Sequence, residues 1–374
     1  MATPRGFCAG VDKAIDALAW MVKIFDPPIY CYHEIVHNRP VVEEFRRKGV
    51  IFVDSVDSVP AGAPLVLSAH GTSPQIVAQA RTAGSVVVDA VCPLVTKVHH
   101  EVKTRAARGY DIIYIGHAGH EEVVGTSAIA PAVVHLVQSN ADVDALATRL
   151  DPRTPVALIA QTTLAESEWR GIMDHVCSRF DNVWTPSRAD LCFATTNRQA
   201  AVRAVARASD AVVVIGSQNS SNTLSLAQVA RDAGCNKVVR INDASELPSG
   251  LSGVIGVTAG ASAPERLVSE IVEALAPAGP VEEVRVTDEG EYFPPPPELR
   301  EMLSSLETFL ATTFSAGATA GVTASANAPR TLRRHRAPAT ANPAVSHEPA
   351  VPQSPVPPQS LAAPQSVARR VAAG

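Results

Sequence analysis

Three of the six cysteines in this 374-residue chain each stand at the start of an amphipathic run. Cys8 opens CAGVDKAIDALAWM, Cys92 opens CPLVTKVHHEV and Cys192 opens CFATTNRQAAVRAV. At a helix start the positive dipole end stabilises a thiolate, and an anionic cluster as well. Three thiolates without an obvious fourth suit a cubane 4Fe-4S cluster with one iron left open, because a structural cluster uses four cysteines. Such an iron is a Lewis acid that can also deliver electrons. A three-cysteine zinc site is the competing reading, but zinc ligands usually come in close pairs such as CxxC, and the sequence has none. A cysteine taken singly reads as a buried apolar thiol. Equivalent placement in three segments overrules that reading for Cys8, Cys92 and Cys192; Cys31, Cys177 and Cys235 lack it and are read as core thiols.

Each cysteine segment runs through a strand into a polar loop: HEIVHN with His37 and Asn38, GHAGHEE with His120 and Glu122, GSQNSSN with Ser220, Ser221 and Asn222. A later strand in each copy ends in a hydroxyl with Gln or Glu three residues on: Thr72 and Gln75, Thr163 and Glu166, Ser262 and Glu265. That spacing predicts helix capping. Small residues, hydroxyls and amides at helix starts in SAHGTSP, GSQNSSN and AGASAP also suit an anion, since free backbone N–H groups and the dipole bind phosphate there. Capping and anion binding both account for Ser262 and Thr163, whereas Ser220, Ser221 and Asn222 in one loop favour the anion. His37 and His70 are expected to add charge-assisted hydrogen bonds. Glu122 is the carboxylate best placed to transfer a proton. His99, His100 and His117 are read as packing or surface residues. GxxxxGK[ST] is absent, and no GxGxxG follows a strand, which excludes a P-loop and a dinucleotide fingerprint.

The elements that must position these residues are short Val/Ile/Leu-rich runs, among them PLVLSAHG, SVVVDAV, DIIYIGHAG, PVALIAQTT, AVVVIGSQN and GVIGVTAGAS, alternating with helical-period stretches. This alternation predicts buried parallel strands in an α/β protein. The repetition of cysteine, polar loop and hydroxyl turn predicts three similar α/β domains in a pseudo-threefold arrangement around a central iron–sulfur cluster. The expected boundaries are 1–92, 93–191 and 192–285, with a core extension over 286–314.

The last sixty residues hold nine prolines and no aromatic residue. They cannot bury enough apolar surface to offset ordering, so 315–374 is expected to be disordered and its RTLRRHR a solvated charge cluster. From Ser315 on there are six arginines and one glutamate. The net charge of −5 therefore divides into about +5 in the tail and about −10 in the body. An acidic body argues against nucleic acid as a partner. No apolar run approaches the roughly 18 residues of a membrane span, and no secretory signal is visible, so a cytoplasmic location is expected.

PRGFCAGVDKAI, HEIVHN, SAHGTSP, DAVCPLVTKVH, IGHAGHEEVVGT, AQTTL, DLCFATTNRQ, GSQNSSN and GVTAGASAPE, in this order, resemble the 4-hydroxy-3-methylbut-2-enyl diphosphate reductase (LytB) family from residue 4 to about 305. The resemblance implies three α/β domains around a 4Fe-4S cluster held by Cys8, Cys92 and Cys192. It implies that His37, His70, Ser220, Ser221, Asn222 and Ser262 hold the substrate diphosphate, that His120 lies near the same pocket, that Glu122 supplies protons and that Thr162 orients the substrate hydroxyl. It further implies the last step of the methylerythritol phosphate pathway, reductive dehydroxylation to isopentenyl and dimethylallyl diphosphates, with electrons from a ferredoxin or flavodoxin type donor. Two departures stand out. Members usually begin with a short apolar strand, and only MATP precedes Arg5 here, so that strand is expected to be missing. Residue 121 is Glu where the pattern has Pro.

Two other classes compete. An iron–sulfur enzyme of the quinolinate synthase type acts on carboxylates and should want Arg and Lys in the pocket, where this sequence offers His, Ser, Thr and Asn. A cluster-based redox sensor would need no diphosphate-like loops.

Overall fold

Four-residue and five-residue apolar runs flanked by turn residues form the strands, and most are covered on both faces, as a parallel sheet between helices requires. A computed structural model describes residues 1–83, 86–186 and 191–319. Met1–Gly317 form one unit. The chain begins with β1 (Ala2–Thr3) and α1 (Ala9–Ile24), followed by β2 (Ile29–Tyr32), α2 (Arg39–Arg47), β3 (Val50–Val53), β4 (Pro64–Leu67), α3 (Pro74–Thr82) and β5 (Val86–Asp89). The second repeat holds α4 (Pro93–Ala107), β6 (Asp111–Ile115), α5 (Glu121–Ser127), β7 (Val134–Val137), α6 (Asn140–Ala147), β8 (Val156–Ala160), α7 (Glu166–Arg179) and β9 (Val183–Trp184). The third holds α8 (Phe193–Ala206), β10 (Ala211–Ile215), α9 (Ser221–Asp232), β11 (Val238–Ile241), β12 (Ile255–Ala259), α10 (Glu265–Leu275) and β13 (Val284–Arg285); α11 (Pro297–Thr319) follows.

The sheets run β3-β2-β4-β5, β7-β6-β8-β9 and β11-β10-β12, parallel throughout. In each, the chain leaves the first strand toward one edge and returns to the other side of it, so a switch point lies between β2 and β4, β6 and β8, β10 and β12. Open α/β sheets bind ligands in the crevice at the carboxyl ends of such a pair. Each polar loop and each hydroxyl turn of the sequence follows one of these six strands.

Backbone hydrogen bonds join the repeats in a ring. The Cys92 amide donates to the carbonyl of Ala69, just past β4 of the first repeat. The Cys192 amide donates to Thr162, just past β8 of the second, and the Cys8 amide to Ala261, just past β12 of the third. Each cysteine is thus set by the strand end of the preceding repeat, and the first cysteine by the last repeat.

The expected loss of the first strand is corrected here. MATP still forms β1, which pairs with β13 and lies along β12, where Gly6 donates to the Ala259 carbonyl. Ala2 is fully buried against Ala201 and Val205 of α8. Ala2, Thr3 and Gly6 thus lie against the third repeat, while Phe7 packs on the α1 core of the first. Only the end of the extension differs from the expected 314. Leu299 of α11 is buried against the α1 core with Met302 and Leu303 beside it, and the helix continues past Ser315 to Thr319. Residues 320–374, the remainder of the expected disordered tail, lie outside the described residues.

Candidate active site

The three cysteines are the N-cap residues of α1, α4 and α8, each in extended backbone conformation. All three line one cavity with His37, His70, His120, Glu122, Thr162, Ser220, Ser221, Asn222 and Ser262, so the structure brings together every residue singled out in the sequence. A side-chain carbon at Gly10 would stand 2.5 Å from Cys92 Sγ and 4.0 Å from Cys8 Sγ. Those two sulfurs therefore lie within the sum of these distances of each other, and only glycine leaves room between them. Burial pushes the Cys92 thiol up to about 11 and the Cys192 thiol up to about 12, and it raises Cys8 as well. Neighbouring cysteines add to the rise at Cys92 and Cys192, while first-turn amides of each helix oppose it. Metal binding deprotonates such thiols, and three converging sulfurs at three helix starts are a donor set that fits a cluster.

Cys31 and Cys235 are buried, as expected of core thiols. Cys177 is exposed, which corrects that reading: it lies on the outer side of α7, one position past the buried Val176.

Behind Cys8 sits a group that sequence patterning missed. Arg198 of α8 is 1% exposed. Its guanidinium donates to the carbonyls of Gly6 and Phe7, each at 3.0 Å, and to both carboxylate oxygens of Glu289 at 2.9 and 3.0 Å. It also opposes the rise of the Cys8 thiol. An arginine within an amphipathic helix gives no sign that it will turn inward; only the neighbouring carbonyls and Glu289 explain it.

The hydroxyl turns do not cap as expected. Ser73, not Thr72, caps α3; Ala165 and Pro264 precede α7 and α10 without a side-chain cap. The cap positions fall one or two residues later; Thr163 and Ser262 line the cavity, whereas the Thr72 hydroxyl is buried outside it. Thr163 donates to Ser221 Oγ at 2.9 Å, and Gln161, also missed, donates to the same oxygen at 3.1 Å. With both lone pairs of Ser221 taken, its own proton points to another acceptor. Ser220 caps α9 and accepts from both the amide and the hydroxyl of Thr223, which leaves its proton free in the same way. Asn222 Oδ1 accepts from the Ala261 amide at 2.9 Å and its amide nitrogen donates one proton to Thr195 Oγ1 at 3.4 Å, which leaves the second N–H. Ser262 donates to the His37 carbonyl at 2.9 Å and so supports the histidine in this state.

Glu122 is 2% exposed. Thr162 donates to both of its oxygens, from the backbone at 2.8 Å and from the hydroxyl at 2.9 Å. His120 caps α5 by accepting from the Glu122 amide. His37 and His70 stack with ring centres 4.0 Å apart, and His120 meets them edge-on. Burial, then the nearby His37, pushes His120 down to about 3, and burial with His37 and His120 holds His70 well below the usual range. The charge-assisted bonds expected of His70 thus depend on an anion entering, because the ring is neutral without one. His99 is pushed down to about 4 by burial, His100 is exposed, and His117 pairs with Glu168 at 3.0 Å, none of them in the cavity. No helix among the described residues is long and apolar enough to cross a membrane.

The comparisons agree with this architecture. The family profile described as LytB protein matches residues 1–276. The 4-hydroxy-3-methylbut-2-enyl diphosphate reductase of Cutibacterium acnes is 46% identical over 306 residues, covering 80% of this chain and 94% of that protein. That of Mycobacterium leprae is 43% identical over 305 residues, covering 80% and 91%. The solved structure of the E-1-hydroxy-2-methyl-but-2-enyl-4-diphosphate reductase from Plasmodium falciparum superposes with a TM-score of 0.78 at 34% identity, over 82% of this chain and 97% of that one. A profile that spans all three repeats, with relatives matched along nearly their full length, leaves one conclusion: the chain belongs to the LytB protein family.

Proposed function

We infer that this chain is a 4-hydroxy-3-methylbut-2-enyl diphosphate reductase, the terminal enzyme of the non-mevalonate pathway. It removes the allylic hydroxyl as water, with two electrons and two protons, to give isopentenyl and dimethylallyl diphosphates. The observation that carries this reading is the one cavity lined both by three equivalent cysteines and by anion-suited polar residues at helix starts. Cys8, Cys92 and Cys192 would hold a 4Fe-4S cluster, which supplies a Lewis-acidic iron and single electrons when bound.

The polar wall does the rest. His37, His70 and His120 take the diphosphate, whose negative charge raises the proton affinity of the depressed His70 and His120 rings and turns them into charged donors. Ser220, Ser221 and Asn222 offer the protons left free by their internal bonds, at the start of α9, where the dipole favours an anion. Ser262 orients His37. Thr162 donates to both Glu122 oxygens and lines the same cavity, so it fixes the carboxyl and meets the substrate hydroxyl. Glu122 holds the proton that the allylic carbon receives. Electrons reach the buried site from a small carrier of the ferredoxin or flavodoxin class.

Anaerobic purification with iron and sulfide analysis, followed by turnover of the hydroxylated diphosphate with a reduced dye, tests the reading. Equal iron and sulfide with formation of both products is the expected result. Zinc in place of iron, or an iron-loaded protein that does not convert this substrate, overturns it.

A further inference from the structure

One histidine pair in this cavity has a partner that the reductase reading does not use. Glu121, the first residue of α5, is largely buried, and its Oε2 has no hydrogen-bond partner. His70 Nε2, 4.0 Å away, is also buried without a partner. One donor atom from each of His37, His70 and Glu121 lies within 4.8 Å of the others. Two buried polar atoms left unsatisfied side by side cost stability, and each such pair calls for a shared partner.

The surroundings are those of a metal site. His37 Nδ1 faces Glu34 Oε2 at 3.3 Å, and Asn219 fixes that carboxylate with a 2.8 Å bond. A carboxylate on one ring nitrogen sets the tautomer and leaves the other nitrogen as a lone pair, the arrangement that supports histidine ligands. The second oxygen of Glu121 lies 3.8 Å from His33 Nδ1. Two imidazoles and one carboxylate with a side open to a cavity match zinc preferences over those of magnesium or calcium. Metal bonds of about 2.0–2.2 Å require the donors to close in, and because imidazole lone pairs lie in the ring plane, His37 and His70 must turn out of their 4.0 Å stack to share one ion.

We propose that His37, His70 and Glu121 form a binding site for a zinc-class divalent cation, and that its occupation excludes the diphosphate and inhibits the enzyme. The exclusion rests on the reductase reading, in which His37 and His70 hold the diphosphate; the metal site does not.

Cluster-loaded wild type, Glu121→Gln and His70→Gln proteins, titrated with zinc by calorimetry, test the site. One site is expected in the wild type, weakened about tenfold or more in either variant. Zinc affinity equal in all three proteins overturns the proposal. Kinetics then test the exclusion. Zinc should raise KM for the diphosphate in wild type with kcat unchanged, and should leave Glu121→Gln unaffected while its zinc-free turnover stays normal. Comparing the two proteins cancels any zinc held by the substrate itself. Glu121-dependent zinc binding that leaves KM unchanged would uphold the metal site and overturn the assignment of His37 and His70 to the diphosphate. Absence of turnover, with Glu121-dependent zinc binding retained, would overturn the reductase reading alone.

Discussion

The two walls of the cavity obey different symmetries. On the cysteine wall the three repeats contribute the same residue, at the same helix position, tied by the same backbone bond to the preceding repeat. On the opposite wall they contribute different chemistry: His37 and His70 from the first, His120, Glu122 and Thr162 from the second, and Ser220, Ser221, Asn222 and Ser262 from the third. On the proposed reading, a cluster held by the three cysteines would present three equivalent demands, which a repeated fold can meet with one solution used three times. A small asymmetric substrate with a diphosphate at one end and a hydroxyl at the other imposes three different demands, so equivalent loops have diverged.

Breaking the symmetric wall should have the largest effect. Cys→Ser at position 8, 92 or 192 is expected to abolish turnover and degrade the cluster, while the same change at Cys31, Cys177 or Cys235 leaves both intact. Full iron content in Cys92→Ser would show that the three positions are not equivalent ligands. Breaking the asymmetric wall should separate the two functions. Glu122→Gln is expected to keep iron content and substrate binding but lose about 10²–10⁴-fold in kcat; a near wild-type rate would place the proton source elsewhere.

Next in size is the buried pair behind the cysteine wall. Removing one partner of a buried ion pair costs about 3–5 kcal/mol, so Arg198→Ala should lower the unfolding midpoint strongly and reduce cluster retention. Calorimetry of the iron-loaded protein measures it. An unchanged midpoint would mean that the Ala259 and Ala261 carbonyls, which accept from the Gly6 and Cys8 amides, hold this segment well enough alone.

The smallest effect lies beside the histidines. Burial pushes the Glu121 carboxyl up to about 7 from an ordinary 4.5, against the opposing pull of His37. A carboxyl raised in the folded state leaves stability full below about pH 4.5 and loses it as pH rises through about 7. Glu121→Gln should therefore raise the melting temperature more at pH 8 than at pH 5. His120 works in the opposite direction: held near 3 against an ordinary 6.5, it favours the fold above pH 6.5 and loses that contribution on acidification. A Glu121→Gln gain that is equal at both pH values would contradict the raised carboxyl.

Cys8, Cys92 and Cys192 were legible because a repeated position leaves a repeated spacing, and the strands because apolar runs of β6, β8 and β10 are buried on both faces. The hydroxyls were found but their bonds were not. Thr163 and Ser262 fit a capping pattern by local spacing, yet a partner from another repeat or loop wins: Ser221 for one, the His37 carbonyl for the other. Arg198 and Gln161 left no local signal, since their partners lie far along the chain. Cys177 departs from the core-thiol expectation because helical periodicity puts it one position past the buried Val176, on the outer face of α7.

The ring of backbone bonds also sets an order in time. Cys92 and Cys192 are each anchored by strand ends that precede them in the chain, so a growing polypeptide carries what it needs to place them. Cys8 is the exception: its anchors are Ala259, Ala261, Arg198 and, beyond them, Glu289, all made long after it. The first of the three thiols to be made is therefore the last to be fixed, because its anchors lie between Arg198 and Glu289. Insertion of a cluster into this fold would then wait for the near-complete polypeptide, which would keep a redox-active metal off half-made protein.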